Sequence, residues 1–348
     1  MTQIRRRTVL GGLAAIAASR AQAQGLPAHE AQLYDAAKRE GEITWYTGQM
    51  QAEPSEAVGR AFTERFPGVK VNVVRSTSQV VFQRLSQDAR ARVSQCDVFS
   101  STDTAHFTAL KGEGRLLQYR PVNMAGMVKP ARENADADGF YQVSYLGLYL
   151  LSRRTDKVTE AAAPKTWKDV LDPKWRNQLA VGHPGFSGAI GSWAVLMRKM
   201  YGEAYLRDLE KNKPQIGRSS ADPITTLNAG ERTIGVAIPS ASTLLTMSRG
   251  NPQALIYPTD GTVVIPAPSA AIKAAPHPNA AKLFLEFMAG TGYSTITRPF
   301  FDESLRTDVE PAPGAKPLDS IATIAPTLAD YEKGIPEIKE LWRDIFGV

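Results

Sequence analysis

The chain is poor in the residues that most often carry chemistry. Its one cysteine, Cys96, excludes an intrachain disulfide, and in "RVSQCDVFS" it is expected to fill a core position ahead of a strand. Four scattered histidines, His29, His106, His183 and His277, make no HExxH or other metal-ligand spacing, so no metal centre and no cofactor is expected. There is no GxSxG elbow, no P-loop and no dinucleotide fingerprint, which removes the commonest hydrolase and nucleotide-binding classes. Nothing past the N-terminus approaches the roughly 18 consecutive apolar residues of a membrane span. Internal repeats and low-complexity segments are also missing.

An excess of one charge disappears on inspection. The formal net charge is +6, but Arg5, Arg6, Arg7 and Arg20 lie in an N-terminal segment without Asp or Glu; the remaining 37 basic residues face 35 acidic ones. A nearly neutral chain offers no clustered basic face for phosphate backbones, so no nucleic-acid partner is expected.

What is present begins with "MTQIRRRTVLGGLAAIAASRAQAQG". A basic region, the short apolar run Val9 to Ala18 and the A-x-A signal Ala21-Gln22-Ala23 read as a cleaved export signal over residues 1–23. Paired arginines before Thr8-Val9-Leu10 resemble a twin-arginine signal, with Val9 where Phe is usual; the general secretory route stays open. The expected compartment is the periplasm.

Strand-like and helical periodicities then alternate. "AHEAQLYDAAKREG" reads as a helix ending at Gly41, and "EITWYTG", "SEAVGRAFTERFPG" and "VKVNVVRSTS" as strand, helix, strand. Such alternation implies parallel sheet covered by helices. Two β-rich segments, Phe140 to Val158 and Tyr257 to Lys273, interrupt it. The expectation is an α/β fold of two lobes, residues 27–143 plus 264–348 and residues 144–263, each with its own mostly parallel sheet. Extended crossings near 143–147 and 262–267 would join them, with a ligand cleft between.

Strand-to-helix turns lie at the carboxyl ends of strands, where open α/β sheets bind ligands. Six such turns carry Ser or Thr, and they supply the candidate site: Tyr46, Thr47 and Gly48; Arg75, Ser76 and Thr77; Ser101 and Thr102; Ser187 and Gly188; Arg218 and Ser219; Ser240, Ser242 and Thr243. Asp260 is added from a nearby turn. Each hydroxyl reads equally as a helix cap or as a ligand contact, and each arginine as an anion partner or a salt bridge. No catalytic residue is assigned: Asp103, Asp222 and Asp260 stand where acids cap helices, and His183 has no partner by spacing. Trp45, Tyr46, Tyr145 and Tyr257 flank candidate cleft segments and read as core packing or as stacking surfaces.

The export signal followed in order by "GEITWYTGQ", "FTERFPGVKVNVVR", "CDVFSSTDTAHFTAL", "PKTWKDVLDPKWRNQLAV" and "APHPNAAKLFLEFMAG" resembles the periplasmic solute-binding proteins of ABC importers, in particular their ferric-iron and AfuA-like branch, over roughly residues 30–310. The resemblance implies a type II two-lobe fold and a non-catalytic, monomeric receptor that hands a small solute to a membrane permease. Ferric members place two adjacent tyrosines just after the strand corresponding to "GVAI". This chain has Ala241-Ser242 there, or Ser242-Thr243 in a shifted register, and no Tyr-Tyr pair anywhere. Neutral hydroxyls replace phenolates poorly as ligands of a hard ferric ion. A small polar solute, organic or oxyanionic, is therefore the expected cargo. The alternatives are iron held by another set such as Asp103, Asp260 and a supplied anion, and an exported enzyme.

Overall fold

The computed structural model describes residues 25–348, so the export-signal reading of residues 1–23 lies outside the described residues. From the N-terminal side the elements are α1 (Ala28–Glu40), β1 (Glu42–Thr47), α2 (Ala52–Arg65), β2 (Lys70–Arg75), α3 (Ser78–Arg90), β3 (Val98–Ser100), α4 (Ala105–Gly112) and α5 (Lys129–Glu133). A long strand, β4 (Gln142–Arg154), leads on to β5 (Leu179–Val181), α6 (Gly188–Tyr201), α7 (Ala204–Lys211), β6 (Gln215–Ile216), α8 (Asp222–Asn228), β7 (Ile234–Pro239) and α9 (Ser240–Ser248). The chain continues through β8 (Gln253–Ile256), β9 (Thr262–Ala271), α10 (Pro278–Ala289), α11 (Thr291–Thr297), β10 (Thr323–Ile324) and α12 (Ile335–Phe346).

Local chemistry sets several of these boundaries. Gly41 takes φ +82°, a left-handed conformation that closes α1 and costs other residues strain. Gly202, at φ +79°, splits the long helical stretch into α6 and α7. In the first half β1 pairs in parallel with β2 and β3; in the second, β5 pairs in parallel with β6 and β7. Helices cover both groups, and the two largest apolar cores fall one in each half. One gathers Trp45, Phe62, Phe284 and Phe287, the other Trp167, Trp193, Tyr205 and Trp342.

The α/β fold of two lobes is as expected, and the crossing strands β4 and β9 join the lobes. The hydrogen-bond ladder runs unbroken in the order β2-β1-β3-β9-β4-β7-β5-β6, so the halves do not hold unconnected sheets. The reason is length: β4 spans 13 residues, antiparallel to β9 from Gln142 to Tyr149 and to β7 and β8 from Tyr149 to Arg154. Both groups of strands thus share the crossing strands. The C-terminal segment, expected with the first lobe, joins the second core. Ile335, Ile338 and Trp342 form one apolar stripe of α12 and pack with Val195 and Met197 of α6, while Glu337 accepts from Arg198 at 2.6 Å.

A buried polar seam ties the crossing strands to the first half. Gln49 Nε2 donates to Ser144 Oγ at 3.0 Å, to the Ala267 carbonyl at 2.8 Å and to the Pro268 carbonyl at 2.7 Å. Trp45 Nε1 donates to Ser100 Oγ at 2.7 Å, and Ser100, Ser269 and Ser144 continue the chain of hydroxyls. The turn after β1 is thereby fixed to the point where the chain crosses.

Candidate functional site

Register brings the carboxyl ends of the strands together. Thr47 lies beside both Arg75 and Ser100, and in the second half Val181 lies beside Ile216 and Val236. The turns that follow these strands face one another across a cleft that is partly open to solvent. The halves touch at its edges: Gln79 N donates to the Phe186 carbonyl at 3.3 Å, and Arg249 pairs with Glu53 at 2.7 Å.

Seven of the expected residues line this cleft: Gly48, Arg75, Thr77, Thr102, Ser187, Ser219 and Ser242. Gly48 is required as glycine, since a Cβ would stand 2.6 Å from the Cα of Ser78 in the adjoining turn. The other nine are placed elsewhere. Tyr46 is fully buried in a core with Phe99 and Phe107, its hydroxyl donating to Asp88 at 2.8 Å. Thr47 accepts from Gln49 N at 3.4 Å, and Ser76 N donates to the Thr47 carbonyl at 3.2 Å. Ser101 Oγ holds His106 Nδ1 at 2.9 Å and accepts from Asp103 N at 3.0 Å. Ser240 is buried at the start of α9, and Thr243 donates back to the Pro239 carbonyl at 3.1 Å. Gly188 packs on the Asp103 backbone.

Arg218 and Asp260 are not among the residues that line the cleft. The Arg218 guanidinium lies over the Phe186 ring, 4.6 Å from its centroid. Asp260 accepts from Trp167 N at 2.9 Å and from the Tyr201 hydroxyl. Asp103 is likewise engaged, by Gln79 Nε2 at 2.7 Å and Ala105 N at 3.1 Å. His183 Nδ1 accepts from Gly185 N at 2.8 Å. His106 is stacked 3.9 Å from Phe82, and burial pushes its pKa down to about 4.

The hydroxyl question resolves residue by residue. Ser187 caps α6 by accepting from Ile190 N at 3.4 Å, and Ser219 accepts from the amides of Ala221 and Asp222 at 3.3 and 3.2 Å. Thr77, the residue before α3, makes no cap bond, and its buried Oγ1 has no hydrogen-bond partner. Ser242 faces the cleft in the first turn of α9, whose N-cap position is taken by Pro239, a residue with no side-chain acceptor to cap the helix.

Sequence reasoning missed Gln49, Ser78, Tyr149, Ser220, Phe300 and Asp302, which also line the cleft. Tyr149 follows Tyr145 at the same-face spacing of a strand, a usable signal. Phe300 and Asp302 arrive from a short turn after α11 and carry no local signature.

Charge in the cleft is sparse and buried. Arg75 donates from Nε to the Met50 carbonyl at 3.0 Å and from Nη2 to Gln51 Oε1 at 3.3 Å, and among the described residues no carboxylate forms an ion pair with it. Burial, the largest effect, lowers its pKa, while Asp222 across the cleft acts the other way. Burial and the neighbouring Glu303 push the Asp302 carboxyl up to about 8, and burial pushes Glu303 up to about 7. The phenols of Tyr145 and Tyr149 are raised by burial and stay protonated.

The two acids predict a pH dependence. Both bind protons more tightly folded than unfolded, so their stabilising contribution is complete below about pH 4 and is lost as pH rises through about 7 and 8. Asp302→Asn is expected to raise the Tm by ~2 °C or more at pH 8.5 relative to the parent, and by clearly less at pH 4.5, in thermal melts.

Residues 43–298 match the family described as bacterial extracellular solute-binding protein. An uncharacterized protein of Haemophilus influenzae is 27% identical over 241 residues, 67% of this chain and 68% of that protein. Among solved structures, the periplasmic binding protein AfuA from Actinobacillus pleuropneumoniae, with fructose-6-phosphate bound, superposes with TM-score 0.80 at 21% identity over 88% of this chain and 99% of AfuA. Iron-bound HitA from Pseudomonas aeruginosa superposes with TM-score 0.75 at 22% identity over 87% of this chain and 99% of HitA.

Proposed function

This chain belongs to the bacterial extracellular solute-binding proteins, which are transport proteins and not enzymes, and from that premise we propose that it captures a small organic anion in the periplasm. It acts as a single chain, closing two lobes on the solute and delivering it to the permease of an ABC importer. The first lobe takes residues 27–143 and the chain from 264 to the approach to β10; the second takes residues 144–263 with β10 and α12. Nucleic acid has no part in this reading.

The carrying observation is Arg75, a half-buried guanidinium in the cleft that no carboxylate among the described residues pairs with. Two of its five N–H donors are used, which leaves three for an oxyanion. The start of α3 and α9 adds open amides and partial positive charge, with the Thr77 and Ser242 hydroxyls not spent on caps. An organic phosphate, as bound in AfuA, is one such anion.

A thermal-shift and calorimetric panel of phosphorylated, carboxylated and cationic solutes tests this. A true ligand at 100 times its Kd stabilises by roughly 2.7 kcal/mol. Stabilisation by cationic solutes alone would overturn the anion reading.

Ferric iron is the second reading, because Tyr145 and Tyr149 both line the cleft. They are not adjacent in sequence, and burial holds both phenols protonated. Iron loading is therefore expected to give no visible phenolate charge-transfer band. A strong band, abolished by Tyr145→Phe or Tyr149→Phe, would replace the organic anion with iron.

A further inference from the structure

We infer that the ligand is zwitterionic, an organic anion that also carries an ammonium group, with its anion at Arg75 and its ammonium at Asp302 among Tyr145, Tyr149 and Phe300. This rests on the anion reading above and extends it to the opposite charge of the same cleft.

Asp302 lines the cleft, is only 6% exposed, and its Oδ2 has no hydrogen-bond partner. Among the described residues no cation forms an ion pair with it. Arg306, close in sequence, is spent on Asp308 at 2.7 Å and on the Asn123 carbonyl at 2.8 Å, and Arg298 turns to the Pro311 carbonyl at 3.2 Å. The neighbouring Glu303 adds a second acid whose Oε1 is also buried without a partner. A buried carboxyl left in this way is costly unless something pairs with it.

The surroundings match one kind of partner. Tyr145, Tyr149 and Phe300 line the same cleft, and the Asp302 charge is felt by both tyrosines. Aromatic faces with a carboxylate are the chemistry that holds an organic ammonium. Burial now favours the protonated acid, and an incoming ammonium supplies the counter-charge that lets it ionise. Arg75 and Asp302 line one cleft yet make no ion pair with each other, so each is open to an opposite charge on a single solute.

The test uses ω-aminoalkyl phosphates and carboxylates of about two to four carbons, with ω-hydroxyalkyl and plain alkyl counterparts of the same lengths, titrated calorimetrically into the exported form of the chain. The best amino compound is expected to bind at least about tenfold tighter than both of its counterparts. In Asp302→Asn that ratio is expected to fall to about one. Equal affinity across the three series overturns the ammonium inference while the anion reading stands, and so does a preference for the hydroxyl series. A ratio preserved in Asp302→Asn overturns the role of Asp302. Binding by none of the anions removes the anion reading and this inference together.

Discussion

Replacing Gly188 by valine is expected to weaken ligand binding by roughly 10- to 100-fold while leaving the Tm of the unliganded chain nearly unchanged. Gly188 opens α6 at the point where the second half meets the first. A Cβ there would stand 2.7 Å from Asp103 Cβ and 3.0 Å from Asp103 N, closer than real contacts allow. The obstacle is backbone in the opposite half, which no side-chain rotation relieves. The same seam carries the Gln79 to Phe186 hydrogen bond at 3.3 Å, and Ser187, next in sequence, lines the cleft. A wedge at this position holds the halves apart, lowers the fraction of closed molecules and raises the apparent Kd in proportion. Each half keeps its own core, so stability is spared. Gly112→Ala, where a Cβ meets nothing within 4 Å, is the control. Unaltered affinity in the valine variant would show that the ligand is bound without this contact.

How far the sequence reveals this arrangement depends on the range of the interaction involved. Alternating periodicity and the glycines at 41 and 202 mark elements through local sterics, which are written in neighbouring residues. Parallel register then follows, and with it the meeting of the turns after Thr47, Arg75 and Ser100. The stripe of Ile335, Ile338 and Trp342 announces a buried face of α12 but not the core that buries it, because an amphipathic helix is indifferent to which apolar surface it meets. The unbroken ladder through β4 and β9 is hidden for a similar reason. A strand long enough to cross between lobes is also long enough to pair on both sides of the crossing.

Site residues divide by the same logic. Ser187, Ser219 and Thr77 look alike as hydroxyls at helix starts, yet two satisfy amides and the third does not. Local hydrogen bonding competes with ligand contact on equal terms, so residue type alone does not decide the outcome. Asp260 is drawn away by Trp167 and Tyr201, partners distant in sequence. Asp302 enters the cleft from a turn beyond α11, where no strand end or motif points to a site.

Arg75→Ala is expected to weaken binding of an organic anion by about 1.5–3 kcal/mol, roughly 10- to 150-fold, the range of a charge-assisted hydrogen bond. Arg75 ends β2 with its guanidinium anchored by Nε to the Met50 carbonyl at 3.0 Å and by Nη2 to Gln51 Oε1 at 3.3 Å. Those two bonds orient the fork and leave its remaining donors for the cleft. Burial makes each of those donors worth more, because water screens the interaction poorly there. Arg75→Lys keeps the charge and loses the planar fork, so an intermediate loss is expected. Arg218→Ala supplies the contrast: that side chain lies over Phe186 and does not line the cleft, and its removal is expected to cost less than about threefold in affinity. Calorimetry on the three variants, with melts of the unliganded proteins, separates binding from folding. A full loss in Arg218→Ala with none in Arg75→Ala would move the anion from Arg75 to Arg218.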